Sequence, residues 1–159
     1  MENQALAIKS RYRQYAMWIA VGLLANLLGM INIGTIYGFK IHFFQVAIFI
    51  SAAMFGSAGG LTVGVMGSLY SAIIMNNPYI VGGNAILGWV AGYLMHKKMP
   101  VLPAVYLAFW AQLPWLILTD IYLINMPLKV LEKLIIALLL SNTIWGVVTA
   151  LVQKKLKSQ

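Results

Sequence analysis

FGSAGGLTVGVMGSLYSAIIMNNPYIVGGNAILGWVAG, residues 55–92, is a run in which glycine returns at every fourth position: Gly56, Gly60 and Gly64, then Gly88 and Gly92. Residues four apart share one face of a helix, so these glycines form two stripes without side chains on helices that are otherwise apolar. In lipid, neighbouring helices gain little from hydrophobicity, and small residues at this spacing let backbones approach for close van der Waals packing. Between the stripes lies the polar link Asn76, Asn77, Pro78, and Gly82, Gly83 and Asn84 open the second helix. A loop and an amide at a helix mouth can form one wall of a small-molecule site. Tightly packed membrane core accounts for the glycines alone just as well.

Beyond this stretch, composition sets the class. The chain has 159 residues, 62% of them hydrophobic and 9% charged, too little polar surface for a soluble globule. The expectation is an all-α integral membrane protein, a compact bundle of about six transmembrane helices. No cysteine is present, which excludes disulfides and thiolate metal sites. The formal charge of +8 is distributed between apolar runs with no basic face, so it reads as a topology signal rather than a nucleic-acid footprint.

Hydropathy places helix one over residues 15–33, helix two over 41–55, helix three over 59–75 and helix four over 83–94. Helices five and six come next, at 101–121 and 131–152. Helices two to four are short, and segments of about 10 to 14 apolar residues can be re-entrant, which leaves five or four crossings open. Helices two and three turn into one another at Gly56 to Gly60 with almost no loop, and Pro114 kinks helix five. Under six crossings one side receives Lys9, Arg11, Arg13, Lys97, Lys98, Lys154, Lys155 and Lys157, and the other only Lys40, Lys129 and Lys133. The richer side is cytoplasmic, and both termini lie there. The domain reading is a basic tail over 1–14, one transmembrane domain over 15–152 and a basic tail over 153–159, in a multi-pass protein of a prokaryotic cell membrane.

Polar residues are few. The only acids are Glu2, in the tail, and Asp120 and Glu132, which flank the link between helices five and six beside Lys129 and Lys133. Ionisable groups at membrane depth often mark a site, whereas at the interface they are solvated loop charges. Asn84, Gln112 and Asn142 each fall within an apolar helix, where an unsatisfied amide costs several kcal/mol, so each needs a partner from another helix, a water or a ligand. Trp145 follows Asn142 by three residues on nearly the same face, and the pair suits a planar heterocycle. Trp18, Trp89 and Tyr93 read as interfacial belt, and Trp110, Trp115 and Tyr122 place further aromatics on helix five. No nucleotide-cradling loop occurs. His42 and His96 fall on opposite sides, no metal-ligand set exists, and no base stands within helical reach of a serine, so neither catalysis nor a cofactor is expected.

Together, the helix count, the Ala16-Met-Trp-Ile-Ala20 stripe, the glycine-rich helix three and the GGNAILGWVAGYL stretch at residues 82–94 resemble the substrate-binding S component of an energy-coupling factor transporter. The resemblance implies uptake of a vitamin or similar micronutrient, driven by a membrane coupling protein with two cytoplasmic ATPases, and a subunit that topples to release its load. It implies docking through small residues on helices one and three, here Ala16, Ala20, Gly60 and Gly64, the last two standing where alanines are usual. For the substrate it implicates Asn84, Asn142 and Trp145, the loop around Tyr37 and Lys40, and residues 76–79 with Asn77 and Tyr79. Two other classes remain open: a membrane scaffold of the cell-wall or cell-shape type, and a membrane sensor module, for which little cytoplasmic chain is available.

Overall fold

The computed structural model describes the backbone of residues 2–31, 33–34 and 40–157, and the side chains of 12–31 and 41–155. It is helical almost throughout: α1 (Glu2–Gly29), α2 (Phe44–Gly67), α3 (Leu69–Ile74), α4 (Tyr79–His96), α5 (Val101–Leu118) and α6 (Leu128–Lys157). A two-residue antiparallel ladder of β1 (Ile33–Gly34) with β2 (Lys40–Ile41) closes the link between α1 and α2. Three stretches, Phe44–Ile74, Val101–Leu123 and Leu128–Lys155, are long and apolar enough to cross a membrane. Large apolar side chains such as Leu23, Leu27, Ile73, Trp110 and Leu118 are exposed on the outer surface, as lipid contact requires and water does not favour.

Helix boundaries differ from the hydropathy reading at the ends. α1 continues through the basic segment expected to be a tail and stops at Gly29. α4 begins at Tyr79, one turn before the expected start at residue 83, because Pro78 at its N-cap holds φ at −65° and ψ at −21°, already helical.

The turn expected near Gly56 is present. Gly56 has φ +66° and ψ −154°, a conformation that excludes side chains, and the chain reverses there. A Cβ built on Gly60 would lie 3.1 Å from that of Ala52. Eight residues of continuous helix would put them about 12 Å apart. Residues 44–55 and 57–67 of α2 are therefore two antiparallel arms, and both pack on α4.

The glycine stripes make that contact. Gly56 lies against Gly92, Gly60 against Gly88, and Gly64 against the backbone of Asn84, an antiparallel crossing in which one turn of α2 meets one turn of α4. A Cβ on Gly60 would fall on the Gly88 carbonyl, 2.7 Å from its carbon. Gly60 and Gly64 are buried in this way, so the outside docking surface expected of them gives way to internal packing. Ala16 and Ala20 are exposed. α1 instead meets the second arm of α2 through Gly22 against Met66 and Ala25 against Gly67.

A side chain not singled out in the sequence holds that interface. α2 breaks at Ser68, where the usual bond from the Tyr70 N–H to the Met66 carbonyl is open. Asn26 fills the gap: its Oδ1 accepts from the Tyr70 N–H at 2.8 Å, and its Nδ2 donates to the Met66 carbonyl. Both backbone groups of the broken helix are satisfied by one amide.

These contacts order the two ends of the bundle. α1 runs parallel to the second arm of α2, a Cβ on Gly56 would lie 3.8 Å from the His96 ring, and Gly146 of α6 packs on Leu102 and Val105 near the start of α5. The start of α1, the α4–α5 link with Lys97 and Lys98, and the end of α6 with Lys154 and Lys155 therefore share one end. Lys129 and Lys133 lie toward the other.

Candidate functional site

At the end away from Lys97 and Lys98, the start of α4 and the end of α5 enclose a cavity of about 60 Å³. Asn77, Tyr79, Ile80, Gly83 and Asn84 supply one wall, and Gln112, Trp115, Leu116, Thr119 and Asp120 supply the facing one. His42 and Phe44 from the start of α2, and Leu134 and Leu138 from α6, complete the lining. Beside it lies a second recess of about 100 Å³ that shares His42, Phe44, Ser71 and Met75.

Local chemistry explains each position. Gln112, Leu116, Thr119 and Asp120 are offset by four, seven and eight residues, one face of a helix. From Thr119 to Leu123 the helix widens into a π-turn, with the Ile124 N–H donating to the Thr119 carbonyl at 3.0 Å. Such turns insert a residue and re-aim the side chains beyond it. Asp120 is 5% exposed. It accepts a hydrogen bond at Oδ1 from Asn77 Nδ2 at 2.8 Å.

Asn77 is held by the link itself. Its Oδ1 accepts from the Tyr79 N–H at 3.1 Å, an Asx turn over Pro78 that satisfies one of the open N–H groups at the start of α4. That leaves Nδ2 to face Asp120. The Tyr79 carbonyl in turn accepts from Trp115 Nε1 at 3.0 Å, which joins α4 to α5 across the mouth. Gly82 permits this approach, since a Cβ there would lie 2.6 Å from the Trp115 ring.

Asn84 and Gln112 sit deeper, 4% and 3% exposed. Asn84 Nδ2 donates to the Ile80 carbonyl at 3.0 Å, so its orientation is set, and its Oδ1 has no partner. Gln112 Oε1 also has none. Buried acceptors left open are costly, about 1–3 kcal/mol each, and these two lie where a water or a ligand in the cavity can reach them.

Asn77→Ala removes the donor to Asp120 and the acceptor for the Tyr79 N–H together. A loss of about 2–3 kcal/mol is expected, read as a lower thermal midpoint of the detergent-solubilised protein. Asp120→Asn, which keeps an acceptor for Asn77, lowers it less.

No family model matches the chain, and neither does any curated protein or solved structure. The site therefore rests on its own geometry.

Of the residues singled out in the sequence, Asn77, Tyr79, Asn84, Gln112 and Asp120 come together around one cavity, although they are spread over more than forty positions. Asp120 and Glu132, equivalent in the sequence, separate: Asp120 is buried, whereas Lys129, Glu132 and Lys133 are exposed. Asn142 and Trp145 are not in the lining. Leu134 and Leu138 occupy the cavity-facing stripe of α6, and Asn142 is the next residue on that stripe, one turn beyond the floor. It is fully buried with both amide atoms unpartnered. The Trp145 ring packs on Phe43 at 4.9 Å and 58°. Tyr37 lies outside the described residues, as does the Lys40 side chain. Sequence reading missed Trp115 and Thr119 as wall residues, although their spacing from Gln112 carries the same stripe. It also missed His42, whose N–H donates to Ser141 Oγ at 3.2 Å and draws the start of α2 down against α6. Among the described residues no group of three or more His, Cys, Asp or Glu is placed to hold a metal ion.

Proposed function

We propose that this protein is a membrane-embedded substrate-binding subunit that takes up a small micronutrient, with ATP hydrolysis supplied by partner proteins. The observation that carries this reading is the cavity between α4 and α5, where the buried, unpartnered acceptors of Asn84 and Gln112 stand with a buried carboxyl in otherwise apolar walls. Sites of this kind, mostly apolar with a few fixed polar groups, are what small-molecule binding asks of a protein. The chain crosses the membrane six times in this reading, the two arms of α2 counting separately. The end rich in Lys and Arg faces the cytoplasm and the cavity lies toward the outside. With Gly60 and Gly64 committed to α4, a coupling protein would meet the exposed Ala16 and Ala20 face of α1.

The test is a mild-detergent pull-down of the tagged protein from its native membranes, with copurifying proteins and metabolites identified by mass spectrometry. Recovery of a membrane coupling protein with two ATPases, and of a retained metabolite, is the expected result. Asn84→Leu, which leaves the Ile80 carbonyl its helical partner, should lose the metabolite and keep the proteins. Cell-wall enzymes in their place would favour a scaffold and return the cavity to packing.

A further inference from the structure

We infer that the cavity selects a small organic cation, an ammonium or amidinium head group that donates hydrogen bonds, rather than an anion or a neutral acceptor. This rests on the binding-subunit reading above and specifies its substrate class.

Four fixed side chains lead there. The Tyr79 N–H holds Asn77 so that its Nδ2 serves Asp120. The Ile80 carbonyl takes Asn84 Nδ2, so what Asn84 still offers is the acceptor Oδ1, and Gln112 adds an amide that can turn its oxygen to the same ligand. Trp115 Nε1, the indole donor, is taken by the Tyr79 carbonyl, and the Thr119 hydroxyl donates to the Trp115 carbonyl at 2.9 Å. The amides of Asn77 and Asn84, the indole of Trp115 and the hydroxyl of Thr119 have thus committed their donors within the walls, while Asn84 Oδ1 and the Asp120 carboxyl offer acceptors. A ligand that pairs with them must bring N–H groups.

Charge agrees. Among the described residues Asp120 is the only acid in the lining, no Lys or Arg lines it, and the one basic ring there is His42, for which no ion pair with Asp120 is present. The one hydrogen bond to its carboxyl among those residues comes from a neutral amide. A buried carboxylate without a countercharge is strongly disfavoured, and a cation bound beside it removes that penalty. Trp115 and Phe44 add aromatic walls of the sort that hold organic cations. A bare metal ion is less suited, since it would need several oxygens where the lining is mainly carbon. About 60 Å³ accommodates roughly four to six water-sized groups, the size of a head group, and the adjoining recess offers room for a larger body.

The test uses three probes of nearly one shape: acetamidinium, acetamide and acetate, titrated against the purified full chain in detergent at constant ionic strength. Thermal midpoint is the readout, with sodium chloride as the inorganic control. Acetamidinium should stabilise the protein at concentrations at least tenfold below those of the other two. Asp120→Asn should erase that preference, and Gln112→Glu, which adds a second carboxylate without touching the Asn77 contact, should sharpen it. Equal or stronger stabilisation by acetate or acetamide overturns the cation assignment while leaving a binding site. The same shift from sodium chloride alone overturns it in favour of an inorganic ion. No shift from any probe, in a protein that still copurifies with a coupling protein and its metabolite, rejects the cation class but not the transporter. No shift together with an empty pull-down rejects both.

Discussion

Gly60→Ala is expected to lower the thermal midpoint of the solubilised protein by roughly 10 °C. The added methyl would fall on the Gly88 carbonyl, a backbone atom that no rotamer change can move. α2 and α4 would have to separate along the whole stripe, because Gly56 against Gly92 and Gly64 against Asn84 belong to the same rigid crossing. Overpacking of this kind costs about 3 kcal/mol, and for a chain of this size each kcal/mol is worth roughly 2–4 °C. Gly29→Ala is the control. A Cβ there meets nothing closer than 3.6 Å, so the midpoint should stay within about a degree or rise slightly. A midpoint for Gly60→Ala equal to that of Gly29→Ala would show that the helices do not touch through their backbones.

The second large effect is expected at Asn26. Asn26→Leu keeps the branched shape of the side chain but removes the acceptor of the Tyr70 N–H and the side-chain donor to the Met66 carbonyl in the same step. Neither can recover the other directly, because the break at Ser68 holds them apart. Both groups are part-buried, so at the lower end of about 1–3 kcal/mol for each group left unpaired the loss is roughly 2–3 kcal/mol. In apolar surroundings water is a poor substitute. Hydrogen exchange locates the effect: amides from Ser68 to Ile74 should lose protection first, while those of α5 and α6 keep theirs. Uniform loss across the bundle, or none, would rule out a local splice.

Legibility in the sequence differs by residue. The stripes Gly56-Gly60-Gly64 and Gly88-Gly92 announce close backbone contact, and the structure uses both in one crossing. Gln112, Thr119 and Asp120 share a helical face by simple count, so their common wall is readable in principle. Asn84 has to find a use because an amide in an apolar helix has few options. Asn26 carries the same signal without standing out, since the helix break it repairs lies forty residues away and has no local mark beyond Ser68.

Composition and periodicity suffice for an apolar, helical chain, the sharp turn at Gly56, the segregation of its cations and a short list of polar residues in need of partners. Those properties come from local chemistry: the solvent a segment tolerates, the spacing of side chains along a helix, the freedom of glycine. Which polar residues of different helices share a cavity was settled by three-dimensional packing. It buried Asp120, left Glu132 exposed and set Asn142 one turn past the floor. It also turned Gly60 and Gly64 inward onto α4 and Ala16 and Ala20 outward. Each of those outcomes depends on the rotation and depth at which one helix meets another, and these are set by contacts between residues far apart in the chain.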